Sequence, residues 1–295
     1  MNRILTLTLV LVPFWIAKAD TPPLADPFIL LEGDTYYAYG THAADGIEVY
    51  TSTNLTDWQL QGLALSESQT TENRWFWAPE VYHKGDTYYM YYSANEHLYV
   101  ATSHSPLGPF RQRGTYMMER ILGDEKCIDS SVFFDDDGSA WLFFVRFTDG
   151  NCIWQCRLDN DLMTPVAGTL RECIHVTEPW ESRLGRVCEG PFVIKHDGLY
   201  YLTYSANDYR SQDYGVGYAT ASSLDGPWLK VAENPILQRY NGLVGCGHHS
   251  FFTDKCSQLR IVFHAHHSEK QVHPRLMHVA PASFEGSKLT VKIVN

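Results

Sequence analysis

The chain predicts an all-β fold, and within that class a five-bladed β-propeller. Three observations carry this expectation. A turn followed by an alternating aromatic strand recurs five times, at Gly33–Tyr39, Gly85–Tyr91, Gly138–Phe144, Gly198–Tyr204 and, in a degenerate copy, Gln258–His264. The glycines that open the first four copies lie 52, 53 and 60 residues apart. Strand signals fill the intervals and no long helical period interrupts them. A unit of this size cannot bury its own apolar faces, so neighbouring units must stack, and five stacked radially make a propeller.

Each unit repeats a second register. After the hairpin come Ile47–Ser52, Leu98–Ser103 and Val216–Ala221, and the second and fourth of these units end in Gly108-Pro109-Phe110 and Gly226-Pro227-Trp228. Asp34, Asp86 and Asp197 each adjoin a hairpin glycine, where tight turns need local hydrogen bonds and positive φ, so they read as turn residues. Asp135, Asp136 and Asp137 lack the spacing of a calcium loop and read as a solvated turn.

Residues 1–19 read as a secretory signal. Arg3 precedes an apolar run from Ile4 to Ile16, too short to span a bilayer, and Ala17-Lys18-Ala19 has the small-residue pattern of a cleavage site. Cleavage would leave residues 20–295 as one propeller domain, exported to the periplasm or the medium and not held by a membrane. It would also remove two cations from a chain whose formal net charge is already -11. Such a surface repels phosphate backbones, which excludes nucleic acid as a partner and favours neutral ligands.

The chain has seven cysteines. Export invites disulfides, and Cys152 with Cys156, Cys173 with Cys188 and Cys246 with Cys256 are local candidates, although connectivity is not readable from sequence. Cys127 and Cys188 lie near acidic residues, but no partner histidine marks either as a nucleophile.

A short polar cluster precedes every hairpin: Ala25-Asp26-Pro27, Ala78-Pro79-Glu80, Ile128-Asp129-Ser130, Glu189-Gly190-Pro191 and Gly247-His248-His249-Ser250. A propeller brings the inner strand of every blade to one shaft, so Asp26, Asp129 and Glu189 should converge. A capped turn or a buried ion pair is the alternative for each taken singly. Trp75, Phe76 and Trp77 offer either a platform for a sugar face or core packing.

In order and at blade spacing, these clusters make the mature chain resemble glycoside hydrolase family 43, the arabinofuranosidases, xylosidases and arabinanases built on five-bladed propellers. The resemblance implies Asp26 as general base, Glu189 as general acid and Asp129 as the group that tunes and orients the acid. An inverting glycosidase needs such a pair, one carboxylate drawing a proton from water and one acid protonating the leaving oxygen, about 6.5–9.5 Å apart. Trp77, Glu80 and Arg275 are the expected substrate-binding residues: Trp77 as the aromatic that lines the site, Glu80 by a blade position that the resembled family uses mainly to hold the site together, and Arg275 by a position that the resemblance turns toward the sugar, with a surface ion pair as the alternative. The resemblance makes His248 a candidate shell residue of a structural calcium ion in the central channel, against plain hydrogen bonding by a buried histidine. No cofactor is required for the reaction.

The expected activity is an exo-acting, inverting α-L-arabinofuranosidase on plant cell-wall carbohydrate. β-Xylosidase action is the nearest alternative, and a propeller that binds glycans without cutting them is an alternative of another class. The loops Glu67–Asn73, Arg120–Lys126 and Asp208–Asp213 are expected to shape the pocket.

Overall fold

A computed structural model describes residues 21–292; the expected export segment lies outside the described residues. Its strands form five antiparallel four-stranded sheets, each built from consecutive strands in simple meander order. Blade one holds β1 (Ala25–Glu32), β2 (Thr35–Thr41), β3 (Gly46–Ser52) and β4 (Gln59–Ser66). Blade two holds β5 (Trp77–Lys84), β6 (Thr87–Ala94), β7 (His97–Ser103) and β8 (Arg111–Gln112). Blade three holds β9 (Cys127–Phe134), β10 (Ala140–Arg146), β11 (Cys152–Leu158) and β12 (Arg171–Ile174). Blade four holds β13 (Cys188–His196), β14 (Leu199–Ala206), β15 (Gly215–Ala221) and β16 (Leu229–Lys230). Blade five holds β17 (Gly247–Thr253), β18 (Leu259–Ala265), β19 (Leu276–Glu285) and β20 (Lys288–Val291).

The repeating turn does what the sequence expects. Gly33-Asp34, Gly85-Asp86 and Asp197-Gly198 are two-residue loops, closing the pairs Glu32↔Thr35, Lys84↔Thr87 and His196↔Leu199. In the degenerate fifth copy a longer loop replaces them, and the buried Asp254 carboxylate organises it by accepting from the amides of Cys256 and Gln258. The Asp135 turn is more than solvated: its carboxylate accepts from Lys195 Nζ at 2.6 Å and Tyr200 OH at 2.6 Å, tying blade three to blade four.

Burial follows the same repeat logic. The apolar core divides into five clusters, one at each interface between neighbouring blades. Tyr39, Tyr92, Phe143, Tyr204 and Phe263 are fully buried within them, so the alternating aromatic positions are structural. No sheet is shared between the first and last blades. Leu24, Ile29, Tyr36 and Ala38 pack against Phe252, Val262 and Met277, and the Met277 amide donates to the Pro22 carbonyl at 3.0 Å.

All seven cysteines are free. Cys152 and Cys156 sit four residues apart on one strand, about 13 Å at extended rise, beyond the reach of a disulfide. Burial pushes the Cys127 thiol up to about 12 and the Cys188 thiol higher still, which leaves both protonated and poor nucleophiles.

Candidate active site

One residue of the polar cluster sits in the left-handed region in every blade. Asp26 (φ 49°), Ala78 (φ 44°), Asp129 (φ 58°), Gly190 (φ 54°) and His248 (φ 41°) occupy this position, and the strand register slips beside each of them. Each is a β-bulge, which bends the inner strand and re-aims its side chains into the shaft. A side chain held at positive φ costs about 1–2 kcal/mol, so the surroundings must over-determine it.

A latch does this. The bulge amide donates to a side chain on the second strand of the preceding blade: Ala78 to Thr41 Oγ1 (2.9 Å), Asp129 to Ser93 Oγ (3.0 Å), His248 to Ser205 Oγ (2.7 Å) and Asp26 to His264 Nδ1 (3.1 Å). In blade three the corresponding residue is Val145, paired with Ile128, and it has no acceptor to offer. The Gly190 amide turns instead to Asp129 Oδ2 at 3.2 Å. Glycine suits this bulge, since a Cβ there would crowd the His248 ring at 3.1 Å.

Asp26, Asp129 and Glu189 all line one open axial pocket of about 650 Å³. Their environments differ. Burial alone would raise Asp26, but Arg275, His248 and His264 outweigh it and hold the carboxyl well below the usual range. Arg275 donates to Asp26 Oδ1 at 2.8 Å, and His248 Nδ1 lies 3.2 Å from the same oxygen. Because His264 Nδ1 accepts from the Asp26 amide and burial pushes this imidazole down to about 3, His264 is neutral. Arg275 therefore supplies the compensating charge, with its guanidinium carbon 4.6 Å from the centre of the Tyr209 ring.

Glu189 is pushed up to about 7, first by burial and then by the Asp26 charge, against the hydrogen bonds from Tyr214 and Asn151. Tyr214 OH donates to Oε1 at 2.8 Å and Asn151 Nδ2 to Oε2 at 2.9 Å. Gly247 admits the tyrosine: a Cβ there would lie 2.4 Å from the Tyr214 ring. Asp129 stands well above its ordinary range through burial and the charges of Glu189 and Asp26. Glu189 and Asp129 crowd one another, and the charge of Asp26 raises both.

Of the other expected contacts, Trp77 and Arg275 line the pocket, and Trp77 stacks on Trp75 with centroids 5.7 Å apart. Phe76 is buried in the core. Glu80 is not among the pocket-lining residues. The bulge position of its blade belongs to Ala78, two residues earlier, and Glu80 lies deeper, hydrogen-bonded to Tyr82 and pushed up to about 8 by burial. Of the three expected loops, Asp208–Asp213 contributes Asp208 and Tyr209 to the pocket, whereas the other two do not line it. Asn151 and Tyr214 carried no sequence signal, because neither belongs to the repeated clusters, and His264 showed only as the end of the fifth aromatic repeat.

A small cavity of about 10 Å³ adjoins the pocket, bordered by Asp26, Glu80, Asp129, Ser130 and His248. It has room for about one water, and the buried Ser130 hydroxyl lacks a partner there. Calcium takes six to eight oxygen ligands. Among the described residues no three His, Cys, Asp or Glu side chains form a metal-holding group, and the carboxylates here already have partners. These side chains do not fit direct calcium coordination.

The comparisons with known proteins agree with this geometry. The model of glycosyl hydrolases family 43 matches residues 22–284. A β-D-galactofuranosidase of Aspergillus niger is 28% identical over 81% of this chain and 73% of its own length. An extracellular endo-α-(1→5)-L-arabinanase of Bacillus subtilis is 26% identical over 76% of this chain and 72% of its own. The crystal structure of an endo-1,4-β-xylanase from Bacteroides thetaiotaomicron superposes with a TM-score of 0.89 at 42% identity, covering 93% of this chain and 96% of that one. This chain belongs to glycosyl hydrolases family 43 and is an O-glycosyl hydrolase.

Proposed function

We propose that the enzyme removes α-L-arabinofuranosyl units from plant cell-wall polysaccharide or its oligosaccharides by single displacement with inversion. The observation that carries this reading is the opposite electrostatic setting of two carboxyl groups in one pocket, Asp26 held ionised by Arg275 and Glu189 held protonated by burial. Asp26 takes a proton from a water on one face of the sugar, and Glu189 delivers its own to the leaving oxygen. As Glu189 gives up its proton, the donors Tyr214 and Asn151 are already aimed at the charge that develops, so the step needs little reorganisation. Asp129, anchored by the Gly190 amide, keeps the acid's backbone in register and adds to the crowding of negative charge.

Extracellular relatives such as the arabinanase support export of this enzyme, and no helix among the described residues is long and apolar enough to cross a membrane. Xylan is the second reading, favoured by the Bacteroides xylanase at 42% identity. A panel of arabinofuranosides, xylosides and galactofuranosides, with the anomer of the first product followed by proton NMR, tests both parts. Cleavage of the arabinofuranoside with inversion is expected; retention would remove Asp26 from its role, and silence on the arabinofuranoside would remove the substrate.

A further inference from the structure

Two hollows meet on the open face of the propeller. The axial pocket reaches Glu96 and Phe147, and the same two residues form one wall of a second hollow of about 490 Å³, completed by Glu125, Lys126, Arg146 and Thr148. Together they make one groove that leaves the axis between the second and third blades.

Phe147 is 44% exposed and has no ring partner among the described residues, although it follows directly on the buried strand β10. An aromatic face left open beside a saccharide pocket is a flat apolar surface of the kind that covers a sugar ring. Beyond it the charges are already matched. Lys126 pairs with Glu96, and Arg146 donates twice to Glu125, at 2.7 and 2.9 Å. A wall of internally paired charges presents fixed donors and acceptors with little net field, which suits neutral hydroxyls better than a carboxylate or phosphate. The loop that begins at Phe147 also carries Asn151, whose amide holds Glu189, so the groove leaves the pocket beside the group that would protonate the departing oxygen.

We propose that this groove binds the neutral saccharide chain that carries the leaving oxygen, with Phe147 as its platform and the Glu96–Lys126 pair as its hydroxyl contacts. The terminal sugar occupies the axial pocket and the remainder of the chain runs out between blades two and three. This rests on the hydrolytic reading above and adds to it a substrate of several units.

The test is a length series of α-1,5-arabino-oligosaccharides and β-1,4-xylo-oligosaccharides of two to five units. Affinity is read by calorimetry in a Glu189→Gln background, and turnover is read in the parent enzyme. Affinity for one of the two series should rise about tenfold from two units to four, equivalent to about 1.4 kcal/mol. Phe147→Ala should abolish that rise and Lys126→Ala should reduce it, with the loss growing from the methyl glycoside through two units to four. No gain with length in either series, or an equal loss at every length including the methyl glycoside, overturns the groove. Failure of the hydrolytic reading looks different: the parent turns over none of the ligands, whatever the binding series shows.

Discussion

The amide of Gly190 donates to Asp129 Oδ2, where each of the four equivalent amides finds a side chain on the second strand of the blade before it. The exception follows from Val145, which cannot accept. Val145→Thr would offer the missing hydroxyl at this fully buried position and draw the Gly190 amide away from Asp129. A hydrogen bond is worth about 0.5–1.5 kcal/mol, so kcat should fall by up to about tenfold with KM little changed. Val145→Ala opens a cavity but supplies no acceptor, and should lose stability while keeping the parent's pH profile. Steady-state kinetics on the two variants separate the latch from simple packing.

The pH dependence of stability has a definite sign. Glu189 and Glu80 are pushed up to about 7 and about 8 by burial, so both bind protons in the folded enzyme that the unfolded chain releases near pH 4.5. Their contribution is full below about pH 4.5 and is lost as pH rises to about 8. Thermal melts should therefore show Glu80→Gln and Glu189→Gln gaining on the parent between pH 5 and pH 8 and not at pH 4. Glu80→Gln should leave the pH–rate profile in place, since Glu80 lies outside the open pocket.

Arg275 is the cation that keeps Asp26 ionised. With Arg275→Ala, burial is opposed only by the two imidazoles, and the acidic limb of kcat/KM should move upward by about one pH unit or more. Arg275→Lys should recover part of the shift but not the stacking on Tyr209. An unmoved acidic limb would show that Asp26 is not the group titrating there.

Outside the pocket lining, Glu181 is fully buried and accepts from Lys230 Nζ and Tyr204 OH, at 2.6 and 2.7 Å. It also caps the amides of Thr177 and Glu178 just ahead of the strand that carries Glu189. Lys230→Met strands a buried carboxylate, which costs about 3–5 kcal/mol, roughly 10 °C in melting temperature for a chain of this size. Adding Glu181→Gln should return part of that loss.

The blades were legible because an aromatic strand behind a glycine turn leaves the same trace wherever it recurs, and Asp26, Asp129 and Glu189 because they fall in the clusters between those traces. The misplacement of Glu80 has a backbone cause. Letters in the clusters align it with Asp26, but the bulge fixes orientation, and φ at Ala78 is invisible in a string of residues. Asn151, Tyr214 and His264 come from a loop, a strand start and a second strand, united only by closure of the ring. The free cysteines escaped for the opposite reason, since their spacing suggested pairs, one of which, Cys152 with Cys156, strand geometry forbids.

Among the described residues the first and last blades meet through side chains and one strap of backbone at Pro22 and Met277, without a strand in common. That seam passes through the chemistry: Asp26 stands on one lip, while Arg275, His248 and His264 stand on the other. Parting the lips would strip the base of its counter-charge while four-fifths of the toroid remained intact, so competence for hydrolysis and closure of the circle are one event.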